Sequence, residues 1–219
     1  MGAFANLGSF LGENLVTIAK KCGYHQSNIL ILEGKIEQLQ NEYPNVYKAL
    51  NSCTHHRDSR TPLQYAQDLV ASWLFEDYIL HLFSENGLNI KGDGADKNRE
   101  ILSSAKVSAS SDTLVTYNGH SRPMELMTDY GGYWSRTGLL DLRDSKYMKL
   151  ERTNSLLLGF STKDNKFLLI DFAKPVPSKY IASHFPYGGK PAYQISCDGI
   201  LQLFNIDNII NVRILNVNS

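Results

Sequence analysis

Cysteine is scarce in this chain of 219 residues: three are present, at positions 22, 53 and 197. An odd number at such wide spacing excludes a disulfide framework and offers no zinc-ligating pair, and it fits reduced thiols in a cytoplasm. Net charge is also lacking, because 22 basic residues balance 22 acidic ones. That balance weighs against a uniformly basic nucleic-acid-coating surface. It still allows an enzyme whose acids gather at a metal while Lys and Arg face phosphates. No run approaches the roughly 18 to 20 apolar residues needed to span a membrane, so no membrane partner is expected. The first residues carry no base ahead of their apolar part, and Asn6 stands where a myristoylation site at Gly2 would prefer Ser or Thr, so neither a secretory leader nor myristoylation is expected. Repeats and low-complexity tracts are absent as well. What is present is 42% hydrophobic residues, enough for a substantial core in a single domain or in one domain with an appended subdomain.

Within residues 1–50 the apolar positions recur at intervals of three and four, which predicts two helices. The first ends near Gly23 and the second before Pro44. Residues 51–62 are polar and turn-rich and read as a loop. Its adjacent His55 and His56 would diverge on an extended backbone, so a solvated or DNA-facing loop is expected there rather than metal ligation. From Thr61, a capping residue, Pro62 and a long apolar series up to Gly87 predict one central helix. Glu76 and Asp77 interrupt its apolar belt; either both face solvent, or Glu76 faces a sheet and assists a site. A short strand follows near residue 88, then a polar loop.

The stretch 112–146 carries the chemistry. Two apolar runs, DTLVTY and RPMELMTDY, are separated by NGHS, and Asn118-Gly119 is a preferred two-residue hairpin turn. Asp112 begins the first strand and Glu125 lies inside the second. Alternation puts Glu125 on the same sheet face as Met127 and Asp129. An acid on that face is explained by magnesium, which takes hard oxygen ligands in near-octahedral geometry. Two carboxylates could hold the ion against a phosphodiester, and a nearby amine would balance charge and position the attacking water. Read separately, Asp112 is a turn-capping residue and Glu125 a solvent-facing strand residue.

With this order of acids, the chain resembles the PD-(D/E)XK nuclease superfamily, in particular type II restriction endonucleases. The resemblance runs from about residue 68 to residue 171: a helix bearing Glu76, Asp112 after Ser111 where the family often has Pro, a spacer, and Glu125-Leu126-Met127. The helix expected over 142–154 and the strands over 155–160 and 166–171 follow in the family's order. The resemblance implies Asp112 and Glu125 as metal ligands for Mg2+, with Glu76 as the helix acid of some members. It departs at Met127, which stands in place of the signature lysine. Lys146, one helix onward, could project back to the site; Arg143 is the neighbouring candidate, and Lys149 shares nearly the same face.

Arg136, Arg143 and Lys149 would add positive charge beside the scissile phosphate, or form an exposed helix face. Residues 172–196, rich in Pro and Gly, read as a long loop or an extended excursion in which Lys179, His184, Tyr187 and Lys190 could reach phosphates or base edges. Gly188-Gly189-Lys190 lacks Walker spacing. The C-terminal segment should return one or two strands.

These readings converge on an α/β (α+β) single domain with a mixed central β-sheet flanked by helices, a restriction-endonuclease-like core. Residues 1–60 are its N-terminal helical part, 61–171 its catalytic core, and 172–219 its DNA-reading loop and C-terminal strands. The expected activity is a magnesium-dependent, sequence-specific double-stranded DNA endonuclease. A homodimer would match the two-fold symmetry of a palindromic site. The alternatives are a non-catalytic DNA- or protein-binding module, with Met127 recording lost catalysis, and a repair or phage nuclease without strict specificity.

Overall fold

A computed structural model describes residues 7–52, 60–92, 99–101, 113–117 and 120–205. Asp112, Cys53, His55, His56 and the Asn118-Gly119 turn lie outside the described residues, as does most of the C-terminal segment from 206 onward. The chain is of mixed α and β structure and divides into two compact units. The first comprises Met1–His81 and Gly94–Ser110, the second Leu82–Asp93 and Ser111–Ser219. The stretch 61–171, read above as one core, is therefore shared between them. No described helix is long and apolar enough to cross a membrane.

The first unit is helical. Helices α1 (Leu7–Leu11), α2 (Leu15–Lys21), α3 (Gln26–Glu33), α4 (Ile36–Glu42) and α5 (Pro44–Ser52) precede the long α6 (Pro62–Glu85). Among the described residues the two helices expected up to Pro44 are thus four short ones, and α5 begins at Pro44 itself. The break inside the second arises at Gly34, which adopts the left-handed conformation (φ 71°) and caps α3; without a Cβ it stops the helix at little steric cost. Asn14 caps α2, its Oδ1 accepting the Val16 N–H at 2.9 Å. Helix α6 opens with a reciprocal capping box: Gln64 N–H donates to Thr61 Oγ1 at 3.2 Å and Thr61 N–H donates to Gln64 Oε1 at 2.9 Å. It ends as expected at Gly87 (φ 81°), where Leu88 N–H returns to the Phe83 carbonyl. One core cluster joins Leu30, Ile31, Leu39, Leu50, Val70 and Trp73, so α6 does hold the helical unit together.

The second unit contains two sheets. Strands β1 (Asn89–Gly92), β2 (Thr113–Tyr117) and β3 (His120–Asp129) run antiparallel in sequence. Helix α7 (Tyr133–Thr137), strand β4 (Leu139–Arg143) and helix α8 (Asp144–Arg152) then carry the chain to β5 (Leu156–Ser161), which pairs with β3 in parallel. Parallel neighbours require such a crossover. Strands β6 (Lys166–Asp171) and β9 (Gln202–Leu203) complete a six-stranded mixed sheet ordered β1-β2-β3-β5-β6-β9.

The expected strands over 155–160 and 166–171 and the hairpin of 112–130 are present in the described residues, and the helix over 142–154 is shortened to α8. Its first two expected residues belong to β4 instead, because Leu140 and Leu142 are buried where β4 pairs with residues 192–196 in a second sheet. Of the two readings of residues 172–196, a long loop and an extended excursion, the structure shows the second over 179–196. Strands β7 (Lys179–His184) and β8 (Lys190–Ser196) form an antiparallel hairpin around a 3-10 turn, Phe185–Tyr187, and the second sheet is ordered β4-β8-β7. Its prolines signalled a loop, yet Pro186 sits in the turn and Pro191 near the start of β8, so neither breaks the hairpin. The core of this unit lies between the sheets: Leu157, Leu168 and Ile170 meet Leu140, Leu142 and Ile195, with Trp134, Tyr147 and Leu150 from the two helices.

Candidate functional site

Glu125 is the focus of the second unit. It lies in mid-strand on β3, opposite Leu157 of β5, and is 3% exposed. A carboxylate so deeply placed needs counter-charge, since burial without partners strongly disfavours the ionised form. Helix α8 supplies it twice. Lys146 Nζ lies 2.9 Å from Glu125 Oε2, and Lys149 Nζ donates to Oε1. The two lysines are three residues apart and so project from one face of the helix, while Tyr147 and Leu150, each one residue on, enter the core. Parallel pairing of β3 with β5 through α8 sets that helix face against the strand. Burial pushes the Glu125 carboxyl up, but the neighbouring Lys146 and Lys149 ammonium groups outweigh it and hold the carboxyl below its ordinary value.

Lys146, the amine offered by the sequence in place of Met127, meets Glu125, and Lys149 does so as well. Asp112 lies outside the described residues; Thr113, next in sequence, pairs with Met124, the neighbour of Glu125. Among the described residues no three His, Cys, Asp or Glu side chains group as metal ligands. The described donor set is therefore one hard carboxylate whose two oxygens are engaged by amines. A magnesium ion there would need Glu125 freed from at least one amine, with its other ligands from Asp112, water or substrate phosphate.

Glu76 stands in the other unit, where Arg99 Nη1 meets it at 2.9 Å and Arg99 Nη2 meets Asp77 at 2.5 Å. Asp77 also accepts from the Tyr24 hydroxyl. Neither acid is left to solvent alone, and their partner was not identifiable from helix periodicity because Arg99 is remote in sequence.

Asp129 shares the Glu125 face and is buried for a structural reason. Its Oδ1 accepts Gly131 N–H at 3.0 Å and its Oδ2 accepts Trp134 N–H at 2.9 Å and the Ser161 hydroxyl at 3.4 Å. It fastens α7 to β3 and β5.

The basic residues expected at phosphates separate into several places. Arg136 lies over the Tyr133 ring at 5.8 Å and Arg143 over the Tyr187 ring at 5.3 Å. Lys179 and Lys190 are exposed at the outer and tip ends of the β7–β8 hairpin. His184 does not fit its expected role. It is 6% exposed, with Nε2 3.1 Å from Asp141 Oδ2, so it presents no surface to a phosphate or base. Tyr187 is also turned inward, its hydroxyl donating to the Asp141 carbonyl at 2.6 Å.

Asp141 was missed in the sequence. Besides His184, its carboxylate accepts from Tyr133 Oη at 2.8 Å and Gln194 Nε2 at 3.0 Å, tying α7, β4, β7 and β8 together. The available signal was the same one that singled out Glu125, an acid enclosed in an apolar run, here LLDLR. His184 Nδ1 is buried without a hydrogen-bond partner among the described residues.

No family model matches this chain, and no curated protein sequence matches it.

Proposed function

We propose that the protein is a magnesium-dependent, sequence-specific double-stranded DNA endonuclease of the PD-(D/E)XK kind, acting as a homodimer on two-fold-symmetric sites. One observation carries this reading: a buried strand carboxylate, Glu125, meets an amine from the following helix, Lys146, at 2.9 Å. That juxtaposition supplies the acid and the amine that phosphodiester hydrolysis requires, in spite of Met127.

In this reading Asp112 and Glu125 would hold the ion, because paired carboxylates are the hard donors magnesium prefers. When bound, magnesium polarises the phosphoryl oxygen and lowers the pKa of a coordinated water. The chain's own groups do the rest. The depressed Glu125 carboxyl stays ionised at neutral pH and orients both lysines. Lys146, as an ammonium, places positive charge beside the non-bridging oxygens, where negative charge grows in the transition state. Lys149 balances Glu125 while Lys146 is engaged by phosphate. Arg136, Arg143, Lys179 and Lys190 contribute phosphate contacts. Glu76, held by Arg99 in the other unit, has no part in this proposal.

A second reading has its own observation in favour. Both Glu125 oxygens are already met by ammonium groups, which suits a non-catalytic module that binds an anion without metal. Mixed-sequence plasmid DNA incubated with magnesium, and in parallel with chelator, separates the two. Discrete fragments only with magnesium, abolished by Lys146→Ala with DNA binding retained, are expected of the nuclease. A smear would replace the specific enzyme by a nuclease without strict specificity, and intact DNA across metals and salts would refute the enzyme altogether.

A further inference from the structure

The most exposed large apolar side chain described is Phe185, at 93%, and it sits on a turn that is unusually well fastened. His184 before it is anchored through Nε2 to Asp141, and Tyr187 after it donates to the Asp141 carbonyl beneath the Arg143 guanidinium. Gly188 N–H closes on the Phe185 carbonyl at 2.9 Å and Gly189 N–H on the His184 carbonyl at 3.0 Å. Both glycines adopt positive φ, 65° and 80°, and Pro186 restricts the backbone between the anchors. The ring is thus presented at a fixed place on the hairpin tip, between two neighbours that point inward.

A single exposed phenylalanine is ordinary on a protein surface. Its surroundings are not. From Phe172 to Cys197 the chain carries Lys174, Lys179 and Lys190 and no Asp or Glu, within a protein whose total charge is zero. Lys179 and Lys190 are exposed, and Tyr180, 53% exposed, packs edge-on against Tyr193. Asp144 and Glu151 of α8 approach Tyr193, but the hairpin itself brings lysines and aromatic rings without acids, which suit a polyanion that also offers flat apolar faces, and nucleic acid meets both conditions.

We propose that Phe185 is a base-stacking wedge: its ring enters between, or lies against, the bases of bound DNA while Lys190, beside it at the tip, holds the nearest phosphate and Lys179, at the far end of β7, a more distant one. This rests on the DNA-binding part of the function proposed above and deepens it, assigning the hairpin tip to distortion of the duplex rather than to hydrogen-bond readout. The inward orientation of His184 and Tyr187 is then what aims the wedge. A ring inserted at a base step works by unstacking, so it favours flexible pyrimidine–purine steps and contributes to site choice without a base-edge hydrogen bond.

The test uses the full chain and fluorescein-labelled mixed-sequence DNA, single-stranded and duplex, with Kd followed by anisotropy over a salt series. Phe185→Ala is expected to weaken binding about 5- to 100-fold with an unchanged salt slope, since no phosphate contact is lost. Phe185→Trp should hold Kd within about threefold, and its added indole emission should be quenched on binding through base contact. Lys179→Ala with Lys190→Ala should instead lower the salt slope by about two. Equal affinity of wild type and Phe185→Ala, with no indole quenching, overturns the wedge even if magnesium-dependent cleavage is intact. Loss of binding in Phe185→Ala without any cleavage by wild type supports the wedge while refuting the nuclease. Vesicles of phosphatidylserine and phosphatidylcholine form a separate arm; Phe185-dependent binding to them, with none to DNA, assigns the tip to a lipid surface and overturns the proposal.

Discussion

Replacing Lys146 and Lys149 together by methionine removes both countercharges from Glu125 while keeping most of the side-chain bulk. The carboxylate side chain is 4% exposed, against 35% for Lys146 and 24% for Lys149. Solvent screening at Lys146 limits its single loss to about 1 kcal/mol, and Lys149→Met should cost about 1–2 kcal/mol. The double variant exceeds the sum of the two, because it leaves a buried charge uncompensated, at about 3–5 kcal/mol. The sign of the pH dependence follows from the direction of the shift. In wild type the folded carboxyl lies below its ordinary value; its stabilisation is complete above the unfolded value of about 4.3 and is lost as pH falls through the lower folded value. With both lysines gone, burial acts alone and raises the folded value above the unfolded one. The variant is then least stable above that raised value and recovers as pH falls from it toward the unfolded value of about 4.3, where recovery is complete. The two proteins should therefore differ most near about pH 8 and converge at the acid end. Urea unfolding read by Trp134 fluorescence measures this, in a Trp73→Phe background, since the two tryptophans lie one in each compact unit. Adding Glu125→Gln to the double variant should restore most of the loss. A deficit under about 1 kcal/mol, or one equal at both ends of the pH range, would refute the view that the lysines neutralise a buried charge.

Two further substitutions probe how the site is held in place. Asp129→Ala leaves the buried Trp134 N–H without its acceptor and frees α7 from β3, at an expected cost of about 1–3 kcal/mol with a red shift of Trp134 emission; an unshifted spectrum and full stability would argue against the anchor. Gly159→Ala would bring a Cβ to 2.7 Å from Trp134 Cη2 and 3.0 Å from Leu168 Cδ1, an overpacking expected to cost about 1–3 kcal/mol in the same urea assay.

The local order of elements was readable from sequence where one physical signal dominated. Thr61 and Pro62 before a continuous apolar series, with Gly87 after it, mark the ends of α6 through capping and the conformational freedom of glycine. Asn118-Gly119 between alternating runs marked the β2–β3 pairing. The uninterrupted apolar runs of β5 and β6 could only be buried strands. Prediction failed or stayed open where two signals competed. Apolar spacing ran through Gly34, and only its positive φ split the helix; prolines left a loop and an extended excursion both open over 172–196, and both hairpin prolines fall where no ladder is broken.

The candidate site divides along the same line. Sequence alone singled out Glu125, because an acid among apolar strand residues requires a partner, and it named Lys146 and Lys149 as amines on one helix face. It could not decide that they meet, since that depends on β5 returning parallel to β3 and setting α8 against the sheet. Nor could it show that His184 and Tyr187 turn inward onto Asp141 while Phe185 turns out, because a residue's direction on a hairpin tip is decided by which neighbours find partners in another strand. The sequence by itself determined which residues carry charge and where helices and strands can form. Only the tertiary structure decided which charges are buried together, because burial and pairing arise from contacts between segments that lie far apart along the chain.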